Sequence, residues 1–201
     1  MRSMMVTQEC PTLVADRILL KPIQVNDAED LFSLWSEGST SELAGIEKPN
    51  NRESIAAGLE YFQLMNESGF FLKWSIREKI SDTFMGEIEL YPLKPQIQPW
   101  HEWAIGYSLK EKVRGKGFMS EAVRRVLCFA FIEKSAYRIK ADVPEKNVKS
   151  LKLLRNNGFS YEGVQSNKLL LNGTFKNMSQ LAITRARFFE GTNTKNQFIR
   201  I

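Results

Sequence analysis

Apolar positions in this chain switch between two spacings, every second residue in some stretches and every third or fourth in others, and the switches mark its elements. Arg17 to Ile23 is rich in Ile and Leu before Pro22 and reads as a first or edge strand. Asn26 and Glu29 have the spacing of a capping box, and Leu31, Phe32, Leu34 and Trp35 supply the apolar stripe of the helix that follows. A loop carrying Gly38 and Gly45 leads to a second helix near 52–66, where Ile55, Leu59, Phe62 and Met65 recur at helical spacing. Strands are expected over 70–77 and 83–91, the second with Ile88 and Leu90 on one face and Glu87, Glu89 and Tyr91 on the other.

The stretch 92–100 holds three prolines and reads as a loop. A strand over 101–109 alternates Trp103, Ile105, Tyr107 and Leu109 with Glu102, Ala104, Gly106 and Ser108. A long helix then runs to about 134, burying Val123, Val126, Leu127, Ala130 and Phe131, before a strand over 137–143. A short helix over 147–156 stops at Asn157-Gly158, and Phe159 opens a further strand. Asn172-Gly173 between two apolar runs predicts a closing hairpin with a type I′ turn. The strand–helix–strand unit over 101–143 requires a parallel pair, whereas the hairpins impose antiparallel neighbours. The fold class is therefore mixed α/β, one domain over 1–201 with a tail from 185, in which Phe188, Phe189 and Phe198 are candidates to pack.

The turn between strand 101–109 and the long helix concentrates the chemistry. Lys112, Val113, Arg114, Gly115, Lys116, Gly117, Phe118 and Met119 combine two glycines with three cations ahead of an unblocked helix start. Glycines let successive N–H groups turn toward one point, and a helix N-terminus adds about half a positive charge there. The segment fits a phosphate cradle, although a basic Gly-x-Gly turn also serves as an ordinary connection.

Composition narrows the partners. The chain has 201 residues, 43% hydrophobic, with a net charge of +5. Its Lys and Arg are scattered and not interleaved with aromatics, so a compact anion is favoured over nucleic acid. Cys10 and Cys128 lie far apart in sequence and His101 is the single histidine, so neither a disulfide nor a metal site is expected. No stretch approaches about 18 apolar residues, so no membrane partner is expected and a cytoplasmic location is the default.

An ordered set of short motifs resembles the GNAT N-acetyltransferase superfamily, and within it the bacterial ribosomal-protein N-terminal acetyltransferases. The set comprises Arg17 to Pro22, Asp27 to Phe32, Met85-Gly86-Glu87-Ile88, Ile105-Gly106-Tyr107, Gly115-Lys116-Gly117 with Ser120-Glu121-Ala122, and Asn147-x-x-Ser150 leading to Gly158-Phe159. The match covers about 17–184. It implies a splayed, mostly antiparallel sheet of about seven strands with one parallel pair, flanked by about four helices.

The resemblance also implies acetyl-coenzyme A as cosubstrate, no metal, and a monomer or homodimer. Pyrophosphate would lie on the backbone from Val113 to Met119, with Lys112 where relatives carry Gln or Arg. Pantetheine would pair with amides of Ile105 and Tyr107 like an added strand, aided by Asn147. Acetyl would pass directly to an amine, since the chain offers no convincing nucleophile. Glu102 is the first candidate base, because Ala104 occupies the position where relatives more often carry Glu; Glu87 and Glu89 are rivals acting through water. Leu154 stands where many members have a tyrosine, and Ser150 matches the serine that the ribosomal group presents instead. The expected acceptor is a protein N-terminus or a small amine such as a polyamine or aminoglycoside. A non-catalytic acyl-coenzyme A-binding module is the alternative. Trp35, Tyr91 and Trp100 are candidate walls of the acceptor pocket.

Overall fold

A computed structural model describes residues 10–67, 69–94 and 101–195. Trp100, Phe198 and most of the proline-rich loop lie outside the described residues. Eight strands form one sheet in the order β1-β2-β3-β4-β5-β6-β8-β7. They are β1 (Leu13–Val14), β2 (Ile18–Pro22), β3 (Leu72–Glu78), β4 (Phe84–Pro92), β5 (Glu102–Leu109), β6 (Arg138–Pro144), β7 (Ser160–Leu171) and β8 (Thr174–Thr184). Every neighbouring pair is antiparallel except β5–β6. The sheet is the mixed, mostly antiparallel one expected; the two-residue β1 is the strand that apolar spacing was too short to reveal.

Helices cover both faces. On one face α4 (Phe118–Cys128) and α5 (Val148–Asn156) pack over Trp74, Ile88, Ile105 and Ile139 in the larger core. The expected long helix continues from α4 as a π-helical turn, Phe129–Glu133, in which the Lys134 N–H reaches back to the Phe129 carbonyl at 3.2 Å. That extra residue per turn lets Phe129, Ala130 and Phe131 all become fully buried. The expected tail instead begins as a helix, α6 (Arg185–Lys195), and buries Phe188 against Phe131 with ring centroids 5.0 Å apart.

On the other face α1 (Ala28–Ser36) and α3 (Arg52–Glu67) bury a smaller cluster of Ile23, Leu31, Leu34, Ile55, Leu59 and Phe84. The Asn26–Glu29 capping box does not form. The helix is entered through a 3₁₀ turn, Val25–Asp27, and the Gln24 N–H donates to Asp27 Oδ2 at 2.9 Å. The box is shifted because the Arg77 guanidinium draws Asp27 inward as an ion-pair partner. The stretch between Gly38 and Gly45 holds a further short helix, α2 (Thr40–Ala44), which ends on Gly45 at φ +76.

The parallel pair positions the site. β5 and β6 are in register at Glu102↔Arg138, Trp103↔Ile139 and Ala104↔Lys140, and there the pairing stops although both strands continue. Backbone direction follows parity: the Glu102 carbonyl and the Lys110 N–H bond toward β4, whereas the His101 carbonyl bonds toward β6. Odd-numbered residues of β5 therefore point their N–H groups toward β6. Past Ala104 this side of β5 faces an opening, and Ile105 and Tyr107 are the residues that present amides to it.

Candidate functional site

A cavity of about 510 Å³ occupies that opening. Tyr107, Ser108 and Leu109 of β5 line it, together with 113–115 and 117–120 of the basic turn and helix start, Asn147, Ser150 and Leu153 near α5, and Thr40 and Leu43 of α2. Tyr107 and Ser108 project to opposite faces of the sheet, so the cavity passes through the sheet. One end meets α5; the other meets α2.

The basic turn has the geometry of an anion cradle. Gly115 and Gly117 sit at φ +78 and +86, and Gly117 is the N-cap of α4 without a side-chain cap, so the first N–H groups of that helix keep outward-directed donors. Arg17 fixes the turn from behind. Its Nε and N–H donate to Glu121 at 2.8 and 2.7 Å, and its Nη1 donates to the Lys116 carbonyl at 3.1 Å. The expected contacts divide into two groups. Lys112 and Lys116 are exposed and free to turn toward an anion. Arg114 is committed, donating to the Leu109 carbonyl at 2.9 Å and to Thr40 Oγ1 at 2.6 Å. Lys149 and Lys152 of α5 face the same cavity and were not foreseen; their signal in sequence was helical spacing on either side of Ser150.

Asn147 caps α5, accepting from the Ser150 N–H at 3.1 Å, and donates to the Leu43 carbonyl at 3.0 Å. It therefore ties α5 to α2 at the cavity mouth. Ser150 lies on the first turn of α5, and its hydroxyl shares a 2.8 Å hydrogen bond with the Tyr107 hydroxyl. Burial raises the Tyr107 phenol above its ordinary range, so it stays neutral across the physiological interval. The pair can direct one O–H toward a group in the cavity. Leu154 is fully buried.

On the other face the strands assemble a charged cluster. Ser108 Oγ donates to Glu87 Oε1 at 2.7 Å, and Trp35 Nε1 reaches the same oxygen at 3.3 Å. The buried Glu87 Oε2 takes no directed hydrogen bond among the described residues and is balanced by the Lys73 ammonium as an ion pair. Lys73 Nζ also meets Glu89 Oε2 at 2.7 Å. Burial alone would pull the Lys73 ammonium down, but the attraction of Glu87 and then Glu89 outweighs it and holds the group above its ordinary value. Lys73 was missed: sequence offers only a lysine inside the apolar run Phe71-Leu72-Lys73-Trp74, and the register that sets it against the two carboxylates of β4 appears only in the folded sheet.

Glu102 is not brought to this cavity. It lies at the closed end of the parallel pair, bonded to Arg138 at 3.1 Å, and Arg138 bridges on to Glu162. Five residues of β5 separate it from Ser108, six steps along the strand or roughly 20 Å at about 3.3 Å per residue. Tyr91 stacks on Phe71 at 5.0 Å between ring centroids, and Trp35 lies over Lys73. Cys10 is buried, with its thiol pushed up to about 12, and burial also raises Cys128 at the far end of α4.

A splayed sheet, a glycine cradle at a helix start and a cavity threading between them define an acyl-coenzyme A transferase architecture. The chain belongs to the GNAT acetyltransferase domain family, whose model matches residues 17–160, and it is an N-acetyltransferase. Members of this family use acetyl-coenzyme A. The chain is 27% identical over 177 residues to the uncharacterized N-acetyltransferase YoaA of Bacillus subtilis, covering 88% of this chain and 98% of that protein. It is 32% identical over 85 residues to the ribosomal protein uS5-alanine N-acetyltransferase of Escherichia coli, covering 42% and 44%. Its fold resembles spermidine N-acetyltransferase from Vibrio cholerae, solved with coenzyme A and spermine, at a TM-score of 0.74 and 16% identity over 86% of this chain and 98% of that one.

Proposed function

We propose that the chain transfers an acetyl group from acetyl-coenzyme A directly to the α-amine of a protein N-terminus, of the ribosomal-protein type. The observation that carries this reading is the through-sheet cavity, with an anion cradle on one side and a buried carboxylate beside Ser108 on the other. Diphosphate rests on the N–H groups of 115–119 with Lys112 and Lys116 alongside, and pantetheine runs past the outward amides of Ile105 and Tyr107. The acceptor enters from the α1–α2 face.

Glu87, in place of Glu102, accepts the proton that the acceptor ammonium loses, through the Ser108 hydroxyl or a water. The neutral nitrogen attacks the thioester carbon, and the C–S bond breaks as the amide forms. The departing thiolate receives a hydrogen bond and a proton from the Tyr107–Ser150 pair, which regains its proton through water from the second proton that the attacking nitrogen sheds as the amide forms. A thiol of pKa near 8.5 leaves readily, and an α-amine near 7.7–8.0 needs little help to lose its proton. An N-terminus therefore suits this site better than a lysine side chain, whose amine titrates near 10.4.

The test is a thiol-release assay with peptides beginning in Ala or Ser and free of charged side chains, alongside polyamines and aminoglycosides. Peptides are expected to turn over. Glu87→Gln is expected to lower kcat by about a hundredfold, the lower range for loss of a general base, with coenzyme A affinity retained. Ser150→Ala is expected to cost roughly tenfold in kcat, because the Tyr107 hydroxyl remains. Tight coenzyme A binding with no turnover on any amine would establish the non-catalytic reading instead.

A further inference from the structure

Lys73 has no part in the chemistry above, yet the fold spends a buried ammonium on it. Its side chain is 3% exposed, between Glu87 at 7% and Glu89 at 23%, and the rings of Phe62 and Trp35 lie 5.1 and 5.5 Å from Nζ. Carboxylates and aromatic faces are what a protein uses to hold an alkylammonium ion. Here that box is filled from within by the chain's own lysine. The neighbouring ions on this face pair one to one: Asp27 with Arg77, Asp30 with Lys110, and Asp82 with Lys21. The Lys73–Glu87–Glu89 group differs from these pairs in combining two anions with one cation, a net negative charge of one unit.

The cluster opens onto the acceptor side in two places. Ser108, which lines the cavity, hands its hydroxyl to Glu87. Glu89 lies over Gly106, so closely that a Cβ at Gly106 would stand 2.7 Å from Glu89 Oε1. Gly106 is opposite Glu89 in the β4–β5 register and lies just past Ala104, the last residue of β5 paired with β6. An amine approaching a thioester in the opening therefore passes this group.

We propose that Lys73 is a specificity-determining residue: by neutralising one of the two carboxylates it sets the acceptor pocket to a single ammonium, a peptide N-terminus, in preference to a polycation. The proposal rests on the acetyl-transfer reading above. A pocket of net charge −1 balances one ammonium, and the further ammonium groups of a polyamine find no uncompensated anion in the cluster. Without Lys73 the same box would hold two carboxylates and an empty aromatic-walled volume, suited to a second ammonium.

The experiment measures the ratio of kcat/KM for spermidine to kcat/KM for an Ala-initiated peptide whose α-ammonium is its one cationic group, in a series that varies the cluster charge. The formal cluster charge is −1 in wild type, −2 in Lys73→Met, 0 in Glu89→Gln, and −1 in the double variant Lys73→Met/Glu89→Gln. The ratio is expected to rise about tenfold in Lys73→Met, fall about tenfold in Glu89→Gln, and return to within about threefold of wild type in the double variant, as expected for one unit charge a few ångströms from the ligand. Glu89→Gln leaves the buried Lys73–Glu87 pair intact, so the series stays informative if Lys73→Met does not fold. A ratio that stays constant in Glu89→Gln and the double variant while peptide turnover persists would overturn the role of Lys73 and leave the acetyl-transfer reading standing. Absence of turnover on every acceptor by the wild type would overturn both.

Discussion

Gly86 shows why single positions in this fold admit one residue. A Cβ there would lie 2.2 Å from the Ser108 carbonyl and 2.9 Å from the Leu109 Cα, both backbone atoms of β5. Neither can move without opening the β4–β5 ladder that carries Glu87 beside Ser108. Gly86→Ala is therefore expected to destabilise by roughly 3 kcal/mol, at the upper end for overpacking, and chemical denaturation reads it directly. Glu87 and Ser108 illustrate a second point at this scale. Each looks like an ordinary strand residue on its own, and the register alone makes them hydrogen-bond partners. Glu102 shows the converse, since its parity matches the site face but its position along β5 delivers it to Arg138.

Among the elements, α2 has a weight out of proportion to its five residues. Arg114 ties it to the cradle through Thr40, and Asn147 ties it to α5 through the Leu43 carbonyl. Glu37, just before it, accepts from the Glu111 N–H at 2.9 Å, so the acceptor-side segment meets the basic turn at two points and α5 at a third. Arg114→Ala should then raise the acceptor KM several-fold while changing coenzyme A affinity less than twofold, because its guanidinium is spent on protein oxygens. Steady-state kinetics beside calorimetric titration with coenzyme A separate these two effects. Periodicity announced most elements, since strands of period two and helices of period near four differ over a handful of residues. It could not announce α2, β1 or the π-helical turn, which are too short for a period and are held by tertiary contacts.

For the molecule as a whole, the buried Lys73 cluster links stability to alkaline pH. The Lys73 value in the folded chain lies above the ordinary 10.5, so its contribution is fully present below about pH 10 and is lost as pH climbs through the folded-state value. The Tm difference between wild type and Lys73→Met should stay constant from pH 7 to about 10 and narrow above that. Melting curves across this range check the sign. In the acid range Lys73 stays charged in both states and contributes no slope of its own.

The mixed α/β class, the hairpin at Asn172-Gly173, the parallel crossover and the basic glycine turn were all settled by sequence, because each depends on local spacing, chirality and turn chemistry. Asn172 and Gly173 indeed adopt φ +49 and +69, as a type I′ turn requires. Which carboxylate stands beside the cavity, and which lysine neutralises it, was decided by tertiary structure alone. Those facts depend on where β5 parts from β6 and on which residues of β3, β4 and β5 fall into register, long-range alignments that no local period encodes.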